Sequence, residues 1–257
     1  MSVRFTTLGT AVNSCAALLV VLFLPVVAVD AADMLYDVPD FTQTDVRGAV
    51  NGNGQQYCAP VAVSNSFMWL GETSKSQLQL IEKLASSDYM NTSLKNGTGT
   101  TGVLRGADKL AQEMFGGYAQ LEYQGWRKHP AQYSRGVKVP QLAWIIDGVG
   151  EKSAVWVNVG WYRYDSAKNE YRRIGGHWVT LVGAAGNRLI FHDPAPRAGQ
   201  EFANEYVAIS TVRSGTLTGK KSGLPTSARG HINLGKGMHI KSSADTAIID
   251  GVVKLTL

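Results

Sequence analysis

Cysteine is scarce in this sequence, with two in 257 residues, at positions 15 and 58. Cys15 stands immediately before the first apolar run, so once the N-terminal segment is removed Cys58 has no partner and an internal disulfide is excluded. Charge is sparse too, at 18% with a formal net of +5, which excludes a highly charged disordered chain. No dense Lys/Arg stripe is interleaved with stacking aromatics, and a pair such as Lys220-Lys221 is too short, so no nucleic-acid partner is expected. The sequence has no His-Glu-x-x-His motif and no paired-Cys spacing. His231 and His239 therefore read as surface histidines, and neither a metal nor another cofactor is expected. No internal repeat, low-complexity tract or clear linker interrupts the chain. What is present, 44% hydrophobic residues, suits one ordinary globular domain.

The N-terminus has its own logic. Arg4 precedes an apolar run from Ala16 to Val29, and Val29-Asp30-Ala31 places small or apolar residues before a cleavage bond. This is the layout of a secretory signal peptide over residues 1–31, with an uncleaved anchor as the alternative. The run is shorter than the roughly 20 apolar residues a spanning helix needs, and no later stretch is long enough. Removing Arg4 and Asp30 together leaves the balance at +5. The mature chain is expected to be secreted or periplasmic, with no membrane association after cleavage. A lone thiol exported in this way is either an inert buried side chain or a nucleophile.

Residues 33–57 read as an irregular lead-in with tight turns at Asn51-Gly52-Asn53-Gly54. From Cys58 to Leu70, the spacing of Ala59, Val63, Phe67 and Leu70 predicts a helix, with Pro60 tolerated in its first turn and Gly71 ending it. Ser76 and Gln79 form a capping-box pattern for a second helix. A third is predicted from Val103 to Phe115, ahead of Gly116-Gly117. From about residue 119 the texture becomes extended: 119–126, 154–162, 177–183 and 188–193 read as strands, with a short helix after Pro140. Short apolar runs beyond Arg197 suggest further strands. Helices first and sheet after predicts an α+β fold.

The segments 177–183 and 188–193 read as a hairpin. With the turn centred on Ala185, Val179 lies across from Phe191 and Leu181 across from Leu189, making one apolar face. The same register sets His177 across from Asp193, while His192 points to the other face. A carboxylate facing an imidazole fixes its tautomer and stabilises its protonated form, the base-plus-orienter half of a nucleophilic triad. An ordinary cross-strand pair would look the same. Cys58 supplies the third member, because the first turn of a helix offers unpaired N–H groups and the positive end of the dipole to an anion.

Taken together, Gln56-Tyr57-Cys58-Ala59-Pro60-Val61-Ala62-Val63-Ser64-Asn65, then Gly175-Gly176-His177-Trp178-Val179-Thr180-Leu181-Val182-Gly183, then His192-Asp193-Pro194, resemble the C39-like branch of the papain-like cysteine peptidases. The likeness covers roughly residues 36–196. Ala59 stands where the family usually has Gly. The resemblance implies a papain-like fold with N-terminal helices on a mainly antiparallel sheet; the texture beyond it makes 197–257 a β-rich extension of a single domain over 32–257. It implies a cysteine peptidase with Cys58 as nucleophile, His177 as general base, Asp193 as orienting carboxylate and an upstream Gln as oxyanion donor. The family's usual spacing puts Gly52 at that Gln position; Gln43, in Val38-Pro39-Asp40-Phe41-Thr42-Gln43, matches the lead-in if 45–54 is an insertion, with Gln55 and Gln56 as rivals. The implied partner is a peptide or protein substrate. Family members fused to exporters cut leader peptides after paired glycines, and with no exporter segment here that substrate is not expected. A catalytically silent binding module and a Cys-dependent acyltransferase remain alternatives.

Three other patterns are set aside. Gly97-Thr98-Gly99-Thr100-Thr101-Gly102 matches a dinucleotide fingerprint but follows no strand, and is read as a flexible loop. Gly230 to Lys236 has phosphate-loop spacing, but Gly237 stands where a Ser or Thr is needed. Asn91-Thr92-Ser93 and Asn96-Gly97-Thr98 are glycosylation sequons, meaningful only in a eukaryotic secretory host.

Overall fold

The computed structural model describes residues 33–43, 45–71, 73–195, 204–219 and 224–257. The signal peptide expected over 1–31 lies outside these residues. Among the described residues no helix is long and apolar enough to cross a membrane.

The chain enters through a two-residue strand, β1 (Asp33–Met34), and the turn-rich lead-in. Three helices follow: α1 (Cys58–Leu70), α2 (Gln77–Ala85) and α3 (Thr100–Phe115). β2 (Gln120–Gly125) and the short α4 (Leu142–Ile146) precede the long hairpin of β3 (Ser153–Asp165) and β4 (Glu170–Ala185). Next come β5 (Arg188–His192), β6 (Glu205–Thr211), β7 (Thr216–Thr218), β8 (Thr226–Ser227), β9 (Ile232–Leu234) and β10 (Thr246–Thr256). The α+β expectation agrees with this order.

Six strands close on themselves. β3 pairs β4, β4 pairs β5, β5 pairs β6, β6 pairs β9, β9 pairs β10, and β10 returns to β3, all antiparallel. The ring is filled by Val155, Val157, Val159, Val179, Leu181, Leu189, Phe191, Val207, Leu234 and Ile249. The alternating residues Trp156 and Trp178 of β3 and β4 face outward into a second core with α1 and α3. β10 also pairs with β2, so the C-terminal segment that sequence left beyond the family likeness contributes a central strand of the sheet.

α1 lies between the barrel and the other helices, which is why Ala59 to Phe67 are all buried, beyond the single stripe its spacing predicts. Phe67 stacks between Phe115 and Trp156, each at 5.9 Å. Gly71 ends the helix in extended backbone (φ −166°), and its lack of a Cβ makes room for the Phe115 ring. Both bonds of the Ser76 and Gln79 capping box are present.

Two expectations need correction. Gly97 to Gly102 is a packed element: Thr98 and Thr100 are buried, α3 starts at Thr100, and a Cβ on Gly102 would meet Met90 O at 2.5 Å. The β-branched Thr100-Thr101 pair, a weak helix former, hid that first turn. The hairpin turn centres on Gly186-Asn187, and Leu181, not Val179, lies across from Phe191. A bulge between Leu181 and Gly183 shifts the pairing by one residue.

Candidate active site

The first residue of α1 is Cys58. Its N-cap, Tyr57, provides no side-chain cap, so the N–H groups of the first turn remain open to an anion. Thr180 on β4 donates its hydroxyl to Ala62 O at 2.7 Å and fixes the helix against the strand. One turn before Ala62 stands Cys58, and three residues before Thr180 stands His177.

The bulge at Val182 decides what the strands present. Continuing the register of the turn, Ala185 with Arg188, would put Asp193 on the face opposite His177. The one-residue shift restores parity, because side chains alternate with period two. His177 and Asp193 thus sit diagonally on one face, not directly across from each other as the sequence register has it. His177 Nε2 meets Asp193 Oδ1 at 2.5 Å, with both side chains almost fully buried. The same oxygen accepts the Ala195 N–H at 2.8 Å. The Cys58 side chain lies close enough to act on the His177 ring, and with Nε2 engaged by Asp193, Nδ1 is the ring nitrogen left for it.

Burial by itself would lower the His177 pKa, but the Asp193 carboxylate and the Cys58 group outweigh it and raise it to about 10. Burial would push Asp193 up; His177 and the Ala195 N–H hold it below the usual carboxylate range. Two further carboxyls lie behind it. Glu205 accepts the Asp193 N–H through Oε2 at 3.2 Å, and burial together with Asp193 and Asp40 raises its pKa to about 8. Asp40 is raised to about 6, by burial first, against the pull of His192. Asp193 keeps the negative charge in this pocket because His177 is its counter-ion, and its neighbours are driven toward the neutral form.

The lead-in is clamped from both sides. Asn65 on α1 bonds Phe41 N and O through its side chain, and Gln43 N donates to Pro194 O at 2.9 Å. Gln43 is thereby held between α1 and the Asp193–Pro194 segment. Its amide donates one hydrogen to Gly54 O at 2.6 Å, leaving a second. Gln55 is exposed and Gln56 half-buried, on the turn leading into α1. His192 turns away as expected, to Pro39 O and Asn204. His231 is fully buried against Ile249 O, correcting its reading as a surface residue.

Trp161 stacks on the His177 ring at 5.6 Å and 13°, donates its indole N–H to His239 O, and was not singled out by sequence because its partner Gly175 lies beyond the expected strand ends. A second group has no local signal at all. Arg173 Nε pairs with the fully buried Asp250 at 2.5 Å, and Tyr162 and Trp126 also donate to that carboxylate. These residues explain Gly175-Gly176: a Cβ on Gly175 would sit 2.9 Å from the Trp161 ring, and one on Gly176 would collide with Arg173 Nη2 and lie 3.0 Å from Val159 O. Because Arg173 is tethered by Asp250, Gly176→Ala is expected to destabilise the protein by ~1–3 kcal/mol, lowering Tm by roughly 3–10 °C. Gly150→Ala, with no atom within 4 Å of the added Cβ, is the control; equal melting of the two variants would contradict this account.

No protein-family model and no curated protein matches this sequence. Among solved structures, a Bacillus anthracis protein described as a C39-like peptidase is similar, with 16% identity and a TM-score of 0.39 over 64% of this chain and 84% of that one. The chemistry of the site is therefore read from its own residues.

Proposed function

We propose that this chain is an exported thiol hydrolase of papain-like fold, active over 32–257 after loss of residues 1–31, that cleaves peptide bonds through Cys58, His177 and Asp193. The observation that carries the reading is the buried His177–Asp193 pair, with Cys58 opening the helix that Thr180 ties to the His177 strand. A histidine that holds its proton beside a sulfur favours the imidazolium–thiolate form, the nucleophile of acyl transfer. In the proposed cycle the Cys58 sulfur attacks the carbonyl carbon, and the C=O electrons move onto oxygen. That oxyanion is met by the Cys58 N–H and the remaining hydrogen of the Gln43 amide. His177 gives its Nδ1 proton to the leaving amine as the C–N bond breaks. It then takes a proton from water, whose oxygen attacks the thioester and frees Cys58.

The test is product analysis of a synthetic peptide mixture by mass spectrometry, with and without an added amine. Hydrolytic products are expected from wild type and none from Cys58→Ser. Gln43→Ala should retain fast alkylation of Cys58 but lose roughly 10²–10³ in turnover, as removal of one oxyanion donor does. Amine adducts in place of acids would move the assignment to an acyltransferase, and no product with a reactive thiol would favour the silent binding module.

A further inference from the structure

We infer that the proposed peptidase recognises a carboxylate on its substrate through Arg47, in a cavity beside the start of α1; this rests on the thiol-hydrolase reading above. The cavity measures about 290 Å³ and is lined by Gln43, Arg47, Asn53 and Gln55. Each of these side chains carries N–H donors and none is acidic. With the Gln43 amide committed to Gly54 O and the oxyanion, the Asn53 and Gln55 amides and the Arg47 guanidinium make a lining complementary to a carboxylate, which the planar fork of Arg engages through two parallel bonds.

The charge of Arg47 is available to a ligand. It is exposed and makes no side-chain hydrogen bond or ion pair with another described residue. The acid nearest in sequence, Asp45, is engaged elsewhere, its Oδ2 accepting Thr42 N at 2.7 Å and Thr42 Oγ1 at 2.9 Å.

Position ties this cavity to the candidate active site. Gln55 lies three residues before Cys58, and three residues span at most about 11 Å. Gln43, on the other side, is bonded to Pro194 next to Asp193. The wall between them is a close-packed turn: Gly52, Asn53 and Gly54 all have left-handed φ (64°, 52° and 74°), and a Cβ on Gly54 would meet Gln43 O at 2.8 Å. A bound peptide advances about 3.3–3.6 Å per residue, so the Gln55 wall of the cavity lies within about three extended residues of Cys58 and Arg47 meets a group on the same peptide a few residues from the attacked carbonyl. That group is an Asp or Glu side chain or a free C-terminal carboxylate.

The experiment uses immobilised Cys58→Ala protein, which binds without turnover, and a synthetic peptide pool made in C-terminal acid and C-terminal amide forms. Peptides with Asp or Glu are expected to be retained about tenfold over their Asn or Gln counterparts. Adding Arg47→Gln should abolish the preference and Arg47→Glu should turn it toward Lys and Arg, with melting unchanged because Arg47 supports no other group. A preference for Asp or Glu in both pools assigns a side-chain carboxylate; retention of acid over amide forms whatever their side chains assigns the chain terminus. Retention without acid preference, or a preference indifferent to both Arg47 substitutions, overturns the inference. Alkylation of wild-type Cys58 reports separately on the hydrolase reading. A fast thiol with no acid preference removes Arg47 alone, whereas a slow thiol with the preference intact removes the hydrolase and leaves Arg47 as a peptide-carboxylate site.

Discussion

His177→Ala is expected to abolish the reactivity of Cys58. At pH 6 a free cysteine is only ~0.3% thiolate, so its alkylation by iodoacetamide is slow. In this protein His177, with its pKa raised to about 10, stays protonated across that range beside Cys58. The wild-type thiol should therefore alkylate on the order of 10–100-fold faster than free cysteine at pH 6, and turnover should depend on His177 by ~10²–10⁴. The Ala variant removes both the counter-charge and the proton carrier, and the rate should fall to that of the free amino acid. Time-resolved mass spectrometry of the intact protein reads this directly. Equal, slow rates for the two proteins would end the enzyme reading. Equal, fast rates would assign the activation to the open N–H groups of α1 instead of to His177.

The second large effect is expected at Asp193. Asp193→Ala leaves a buried imidazole without its acceptor and frees the Ala195 N–H as well, so a loss of ~3–5 kcal/mol is expected, as when one partner of a buried ion pair is removed. The pH dependence gives a finer test. His177 has a folded pKa raised from 6.5 to about 10, so its contribution to stability is complete below ~6.5 and is lost as pH rises toward 10. Glu205, raised from 4.5 to about 8, ionises more readily in the unfolded chain, which also lowers stability as pH rises between those values. Asp193 has a lowered folded pKa, so its contribution is present above about 3.8 and is lost as pH falls below that value. Wild-type Tm should accordingly decline from pH 6 to pH 10. Asp193 is the largest cause raising His177 and adds to the burial that raises Glu205, so Asp193→Asn, which keeps the shape without the charge, should make that decline shallower. A variant curve parallel to wild type would mean that the pair is not charged in the folded protein.

Both tests concern residues that the sequence brought forward, but on different grounds. Cys58 was legible because helix spacing over 58–70 and the lead-in before it fix the first turn locally, and the helix bounds agree with the structure. His177 and Asp193 were legible as a same-face pair, yet through a register that does not occur. The turn lies one residue and a half later than expected, and the bulge at Val182 compensates for the parity. Bulges form where the barrel must bend, a demand of closure that no hairpin sequence states by itself. Gln43 was reached only through the family resemblance, since nothing local indicates that its backbone would bond Pro194 far along the chain.

The sequence alone determined the order of helices and strands and the start of α1 at a lone cysteine, because each follows from residue spacing within a few turns of chain. Tertiary structure alone decided that the C-terminal strand closes the barrel, that Trp161 covers His177, that Arg173 and Asp250 meet across the sheet, and that Glu205 is driven toward its neutral form behind Asp193. Those relations join residues far apart in sequence, and their strength comes from burial, which exists only once the barrel and helices have packed.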